Sequence, residues 1–306
     1  MSPSAAIGKQ GLHGDAMRTP SARSDWLLPA FVGVWSLLVI VPLLVLFSYS
    51  FFESRNFAMI YKPSFETWLN LFSSGRFEVT LRTLRIALTV TLIELALGFP
   101  IALWLAKGNC SKATRSFVLA LLTIPFFLDL SSRIIVWRGI LDETGLINHV
   151  LLNLHMIATP IKGLLYTEFS VHFGMIVSYF PMMVLPIYMA ISVIDDTLIA
   201  AAADLGASPA RIVWDIVLPL SMPGVMAGTV FTLGPAMAAW VEPNMLGGGF
   251  VNMLSNSVES AYSALRYPVV AALSSFVILM LGLILGLLIL ATRRVVDISS
   301  TFKSLA

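Results

Sequence analysis

The chain has 306 residues, 58% of them hydrophobic and 12% charged, with a mean hydropathy of +0.87. Soluble domains carry about a quarter charged residues, so this composition places the chain in a bilayer. The net charge of +2 is too small to argue for nucleic acid, and the single cysteine, Cys110, excludes an internal disulfide framework or a cysteine-rich metal site.

Residues 1–25 are polar, with Lys9, Arg18 and Arg23, and read as a disordered N-terminal arm. A bilayer core needs about 20 mostly apolar helical residues per crossing. Six runs meet this: 26–47, 83–106 with a Gly98-Phe99-Pro100 step that can kink it, 116–137, 171–193 containing Pro181 and Pro186, 223–241, and 269–291. The predicted domain plan is therefore the arm, a six-helix transmembrane domain over 26–292, and a tail over 293–306. The fold class is all-α integral membrane.

An even number of crossings puts both termini on one side. Lys107, Lys112 and Arg115 between the second and third runs, and Arg293 and Arg294 after the sixth, point to the cytoplasm. The connections at about 48–82, 138–170 and 242–268 are then expected outside.

Residues 195–219, DDTLIAAAADLGASPARIVWDIVLP, lie between the fourth and fifth runs and face the cytoplasm on this plan. Thr197–Leu205 is alanine-rich and helix-prone. Gly206 suits the position just past a helix end. Ser208 offers an N-cap and Pro209 a first helical residue, so a second short helix begins there. Pro219 is expected to stop it. Two short helices at a sharp corner form either an ordinary hairpin or a stiff lever that seats in a groove of another protein.

Four features of the runs carry charge or rings. Asp129 and Arg133 are four apart on the third run and share a helix face, able to pair or to line a path. Glu94 is near the middle of the second run, where it faces a wet cavity or bonds a neighbouring helix. Glu242 follows Trp240 at the outer end of the fifth, beside Pro243, and reads as an amine-holding acid or an interfacial residue. Trp137, Tyr179 and Phe180 line a route or anchor the interface.

The 195–219 stretch resembles the EAA loop of ABC-importer permeases, through Ala201, Ala202, Asp204, Leu205, Gly206, Ala207, Leu218 and Pro219. In that family the loop couples to ATPase subunits. Ala200 stands where the family usually has Glu, and its methyl group cannot make that residue's ion pair with the ATPase. The string IPFFLDLSSRIIVWRGILDETGLINHVL, with Pro125, Arg133, Trp137, Gly145 and Asn148, resembles the spermidine/putrescine branch, the PotB type. Pro181, Pro186, Pro243 and Leu246-Gly247-Gly248 fit the same branch. The resemblance implies a type I ABC importer permease of MetI-like fold in the bacterial inner membrane. It implies two ATPase subunits, a second and different permease chain, a periplasmic solute-binding protein, and a polyamine such as spermidine or putrescine as cargo. An opine, an amino-acid-like amine or an inorganic ion is the alternative cargo.

No G-x-x-x-x-G-K-[ST] string occurs, so ATP is expected to be hydrolysed by a partner and no cofactor held here. No H-E-x-x-H or clustered acid–His constellation suggests a metal site or an enzyme. Nor is there the broken-helix pair in matching halves that a gradient-driven carrier would favour.

Overall fold

The computed structural model describes residues 27–55, 58–73 and 76–293. The expectations for the 1–25 arm, and for the tail beyond residue 293 with Arg294, lie outside the described residues. The chain divides into two units, residues 1–46 and residues 47–306.

The described part of the first unit is most of helix α1, Leu27–Tyr49, which contains Pro42. The second unit opens with a two-stranded antiparallel ribbon, β1 (Glu53–Arg55) and β2 (Ala58–Ile60), with Ser54 opposite Met59. A short helix α2 (Glu66–Ser73) follows. Phe47, Phe51, Phe65 and Trp68 cluster here, and the Trp68 indole donates to Ser50 Oγ at 3.2 Å. Trp68 is thus tied into a ring cluster that rigidifies the loop.

Three long helices form the core: α3 (Arg76–Lys107), α7 (Glu168–Ser192) and α10 (Leu218–Ala238). α3 runs unbroken through Pro100. Small residues set how closely the three approach. A Cβ on Gly224 would stand 2.4 Å from Ala190 Cβ and 2.6 Å from the Pro186 carbonyl oxygen. One on Gly228 would stand 2.9 Å from the Met183 carbonyl oxygen. Gly224 and Gly228 are one helical turn apart and form a GxxxG face on α10, which lets the α7 backbone come near. Between apolar helices in lipid, such close packing replaces the hydrophobic driving force available in water.

Contacts at the helix ends fix the directions. Arg85 Nη2 lies 2.6 Å from the Glu168 carboxylate, joining the start of α3 to the start of α7. At the opposite end Lys107 Nζ lies 2.5 Å from both Asp196 Oδ1 and the Ile194 carbonyl oxygen, joining their far ends. α3 and α7 therefore run in one direction and α10 returns.

The third crossing departs from the expected continuous helix over 116–137. It is broken into α4 (Lys112–Thr123), a 3₁₀ turn (Ile124–Phe127) and α5 (Leu130–Leu141), with α6 (Leu146–Asn153) after it. The two halves, 112–127 and 130–153, meet at 106°. Leu128 is extended and Asp129 caps α5, so the helix restarts rather than continues. Among the described residues five helices are long and apolar enough to cross, and the bent pair makes the sixth when taken as one span.

The fifth crossing also begins earlier than expected. Helix runs from Pro209 to Ala238 without a stop at Pro219. A π turn at Val213–Val217 explains this: the Leu218 amide bonds the Val213 carbonyl, five residues back. The ladder is already widened where Pro219 brings no N–H.

Residues 242–268 are not simply an outer loop. After Ala238 the chain folds back, and α11 (Val241–Met245) buries Val241, Glu242 and Pro243 against α5 and α7. Gly174 on α7 makes the room, since a Cβ there would stand 2.4 Å from Leu246 Cδ1. α12 (Leu254–Ser263) and the last helix, α13 (Tyr267–Arg293), complete the unit.

Candidate functional site

The corner between α7 and α10 forms as the sequence dictates. α8 (Asp196–Asp204) is capped by Asp195, whose carboxylate accepts the Thr197 amide at 2.9 Å. That bond holds the Asp195 carboxyl below the usual carboxylate range, helped by Lys107. Gly206 sits at φ +84, with its amide on the Ala203 carbonyl and the Ala207 amide on the Ala202 carbonyl. These bonds close the end of α8. Ser208 Oγ then accepts the Arg211 amide and Pro209 opens α9 (Pro209–Ile212).

One side of this elbow is anchored. Ile199, Ala202, Ala207 and Ile212 pack on the apolar cluster of α7 and α10 that holds Ile187, Ile191 and Val217. The other side is bare. Ala201, Asp204 and Gly206 are exposed, Leu205 is 89% exposed, and Trp214 beyond it is 68% exposed. Pro219 is half-buried just inside the next crossing. Ala200 is also exposed, and no side chain there can form an ion pair. Arg211 Nε pairs with Asp215 at 3.3 Å on the same outer surface. An anchored inner face with an apolar, exposed tip is a shape that can transmit a push.

The second group of predicted residues gathers in the bundle. Glu94 on α3 is fully buried. Its Oε2 accepts Thr232 Oγ1 of α10 at 3.1 Å, and its Oε1 has no partner. Of the two expectations for Glu94, the bond to a neighbouring helix is the one seen.

Of the two expectations for Asp129 and Arg133, the pairing is not seen. Asp129 caps α5 by accepting the Ser132 amide at 3.0 Å, because the helix starts only at Leu130. Arg133 Nε is buried without a partner. Both line a cavity of about 320 Å³ with Ser178, Pro181 and Met182 of α7.

Glu242 is not interfacial but fully buried, with neither carboxylate oxygen hydrogen-bonded. The polar groups facing it are the Tyr179 and Ser178 hydroxyls and Arg133. Trp240, paired with it in the sequence reading, caps the start of α11 and is half-exposed. Trp240 precedes α11 and Glu242 lies in its first turn, and there their side chains part company. Trp137 packs edge-on to Phe173 at 4.8 Å, so it sits in the α5–α7 contact.

The structure thus brings Arg133, Ser178, Tyr179 and Glu242 together from α5, α7 and α11, with Glu94 on α3 one layer away beside Thr232. Ser178 and Thr232 were missed by the sequence reading. A hydroxyl in an apolar run gives no signal until its helix partner is known.

A bundle of apolar helices with a broken third crossing, a short α11 buried against α5 and α7, and a capped, exposed elbow defines a membrane permease. Residues 94–301 match the family described as binding-protein-dependent transport system inner membrane component, and the chain belongs to it. It is 33% identical over 290 residues to the spermidine/putrescine transport system permease protein PotB of Salmonella typhimurium, covering 92% of this chain and 100% of that one. It is 34% identical over 262 residues to the Escherichia coli protein of the same name, covering 85% and 94%. The inner membrane ABC transporter permease protein YdcU of Escherichia coli is 27% identical over 259 residues, covering 80% and 82%. Among solved structures, a chain of a bacterial alginate ABC transporter in complex with an alginate pentasaccharide-bound periplasmic protein shares the fold. Its TM-score is 0.68 at 20% identity, covering 89% of this chain and 96% of that one.

Proposed function

We propose that this chain is one of two permease subunits of an ATP-driven polyamine importer, with both termini in the cytoplasm. A periplasmic binding protein delivers the solute to the end where Arg85 meets Glu168. Two ATPase subunits sit at the other end, against the elbow. Hydrolysis is theirs, and this chain acts by moving. The second permease is a different polypeptide.

The elbow is the observation that carries this reading. Gly206 and the caps at Asp195 and Ser208 fix its angle, and Lys107 ties its root to α3. A displacement of Leu205 and Asp204 is therefore passed to α3, α7 and α10 together rather than absorbed. Each access state is favoured by contacts that differ between states. Polyamine as cargo is supported by the names of the relatives, at about one-third identity over nearly the whole chain.

Reconstitution tests it. The chain, co-purified with its partners and placed in proteoliposomes with the binding protein, is expected to take up labelled spermidine or putrescine only with ATP. Uptake by the chain alone, without any ATPase, refutes the importer reading. ATP-dependent uptake of another solute with no polyamine uptake refutes the cargo.

A further inference from the structure

α12 turns one side toward a groove that the coupling elbow and the buried Glu94–Glu242 region do not use. The groove holds about 470 Å³ between the end of α10, α12 and the start of α13. α10 leaves the elbow end, so the groove opens at the other end, with Glu168. Its wall is apolar, built from Met237, Val258, Val270 and Val277. Its rim carries Trp240, Tyr262 and Glu259. Trp240 is 50% and Tyr262 60% exposed, and Tyr262 is braced edge-on by Tyr267 at 6.2 Å.

Glu259 decides what fits. Its carboxylate meets only the Asn244 amide, at 3.5 Å, and among the described residues no cation pairs with it. A negative charge in a groove that also holds Trp240 and Tyr262 attracts an ammonium by charge, and such rings hold a cation by cation–π contact. The apolar wall behind suits methylene groups. An anion is repelled, and a neutral hydrocarbon leaves the carboxylate unused.

We propose that this groove is a subsite for a free alkyl diamine or polyamine, its ammonium on Glu259 and its stem along Trp240, Tyr262 and the apolar wall. The subsite rests on the polyamine reading above for its biological role, though its chemistry is testable apart from transport. Sequence proximity pairs Trp240 with Glu242, whereas the fold gives it Glu259, 19 residues on.

The test uses the purified complex and 1,4-diaminobutane, with neutral 1,4-butanediol as control. Binding is read as the fluorescence change lost in Trp240→Phe. The diamine is expected to bind and the diol not to. Glu259→Gln is expected to weaken binding by about tenfold, the usual effect of losing a charge-assisted hydrogen bond. Glu259→Asp, which keeps the charge, is expected to restore most of the loss and shows that the groove is intact. Unchanged diamine affinity in Glu259→Gln overturns the proposal. So does a fluorescence change produced by phosphatidylethanolamine in nanodiscs but not by the free diamine, which makes the groove a lipid site. Diamine binding that depends on Glu259, in a complex that imports no polyamine, sinks the cargo reading and leaves the subsite. Polyamine import by a complex whose diamine affinity is unchanged in Glu259→Gln does the reverse.

Discussion

Gly206 is where local backbone chemistry and coupling meet. Its φ of +84 lies in the left-handed region, and a Cβ built there meets nothing within 4 Å. Replacing it by alanine therefore brings no steric contact. The whole penalty is conformational, about 1–2 kcal/mol for a non-glycine residue held left-handed. Asparagine tolerates that region better and is expected to lose less. Valine, branched at Cβ, is expected to lose more than alanine. If docking requires the native elbow, a penalty of about 1–2 kcal/mol weakens it by up to about 5- to 30-fold. The assay titrates ATPase subunit into permease variants in nanodiscs and reads the half-saturating concentration alongside ATP-dependent uptake. The expected order of affinity is Gly, Asn, Ala, Val. The reasoning is refuted if Gly206→Ala docks as wild type, or if Gly206→Asn docks worse than Gly206→Val.

Lys107→Met is expected to lower thermal stability more than Asp196→Asn. The lysine is largely buried and also bonds the Ile194 carbonyl, while the aspartate side chain is 84% exposed. Losing the charged bonds of Lys107 costs about 1.5–3 kcal/mol, and losing an exposed partner about 0–1; equal melting shifts in detergent would contradict this. Gly228→Leu is expected to cost at least about 1–3 kcal/mol by driving α7 and α10 apart, measured as a drop in melting temperature. The cap at Asp195 sets a pH dependence. Its folded pKa is depressed, so its contribution is full above the unfolded value of about 3.9 and is lost as pH falls through the lower folded value. Protection factors of the α8 amides, taken relative to the intrinsic rate at each pH, should therefore fall on acidification below about pH 4 in wild type and less in Asp195→Asn, which keeps a capping oxygen.

What the amino-acid order decided alone is what depends on neighbours in the chain. Six apolar runs of spanning length follow from hydropathy. The elbow follows from Asp195, Gly206, Ser208 and Pro209, because capping oxygens, a left-handed glycine and a proline at the first helical position act within four residues. Tertiary packing decided the rest. Asp129 and Arg133 share a helix face only if the helix is continuous, and the restart at Leu130 removes that condition. Pro219 stops a helix only in an unwidened ladder, and the π turn before it supplies the slack. Glu242 reads as interfacial from its place after an apolar run. Its burial depends on Gly174, 68 residues earlier, leaving space for α11. Hydropathy reports how apolar a segment is, and contacts between segments far apart in the chain decide which face, and which acid, is enclosed.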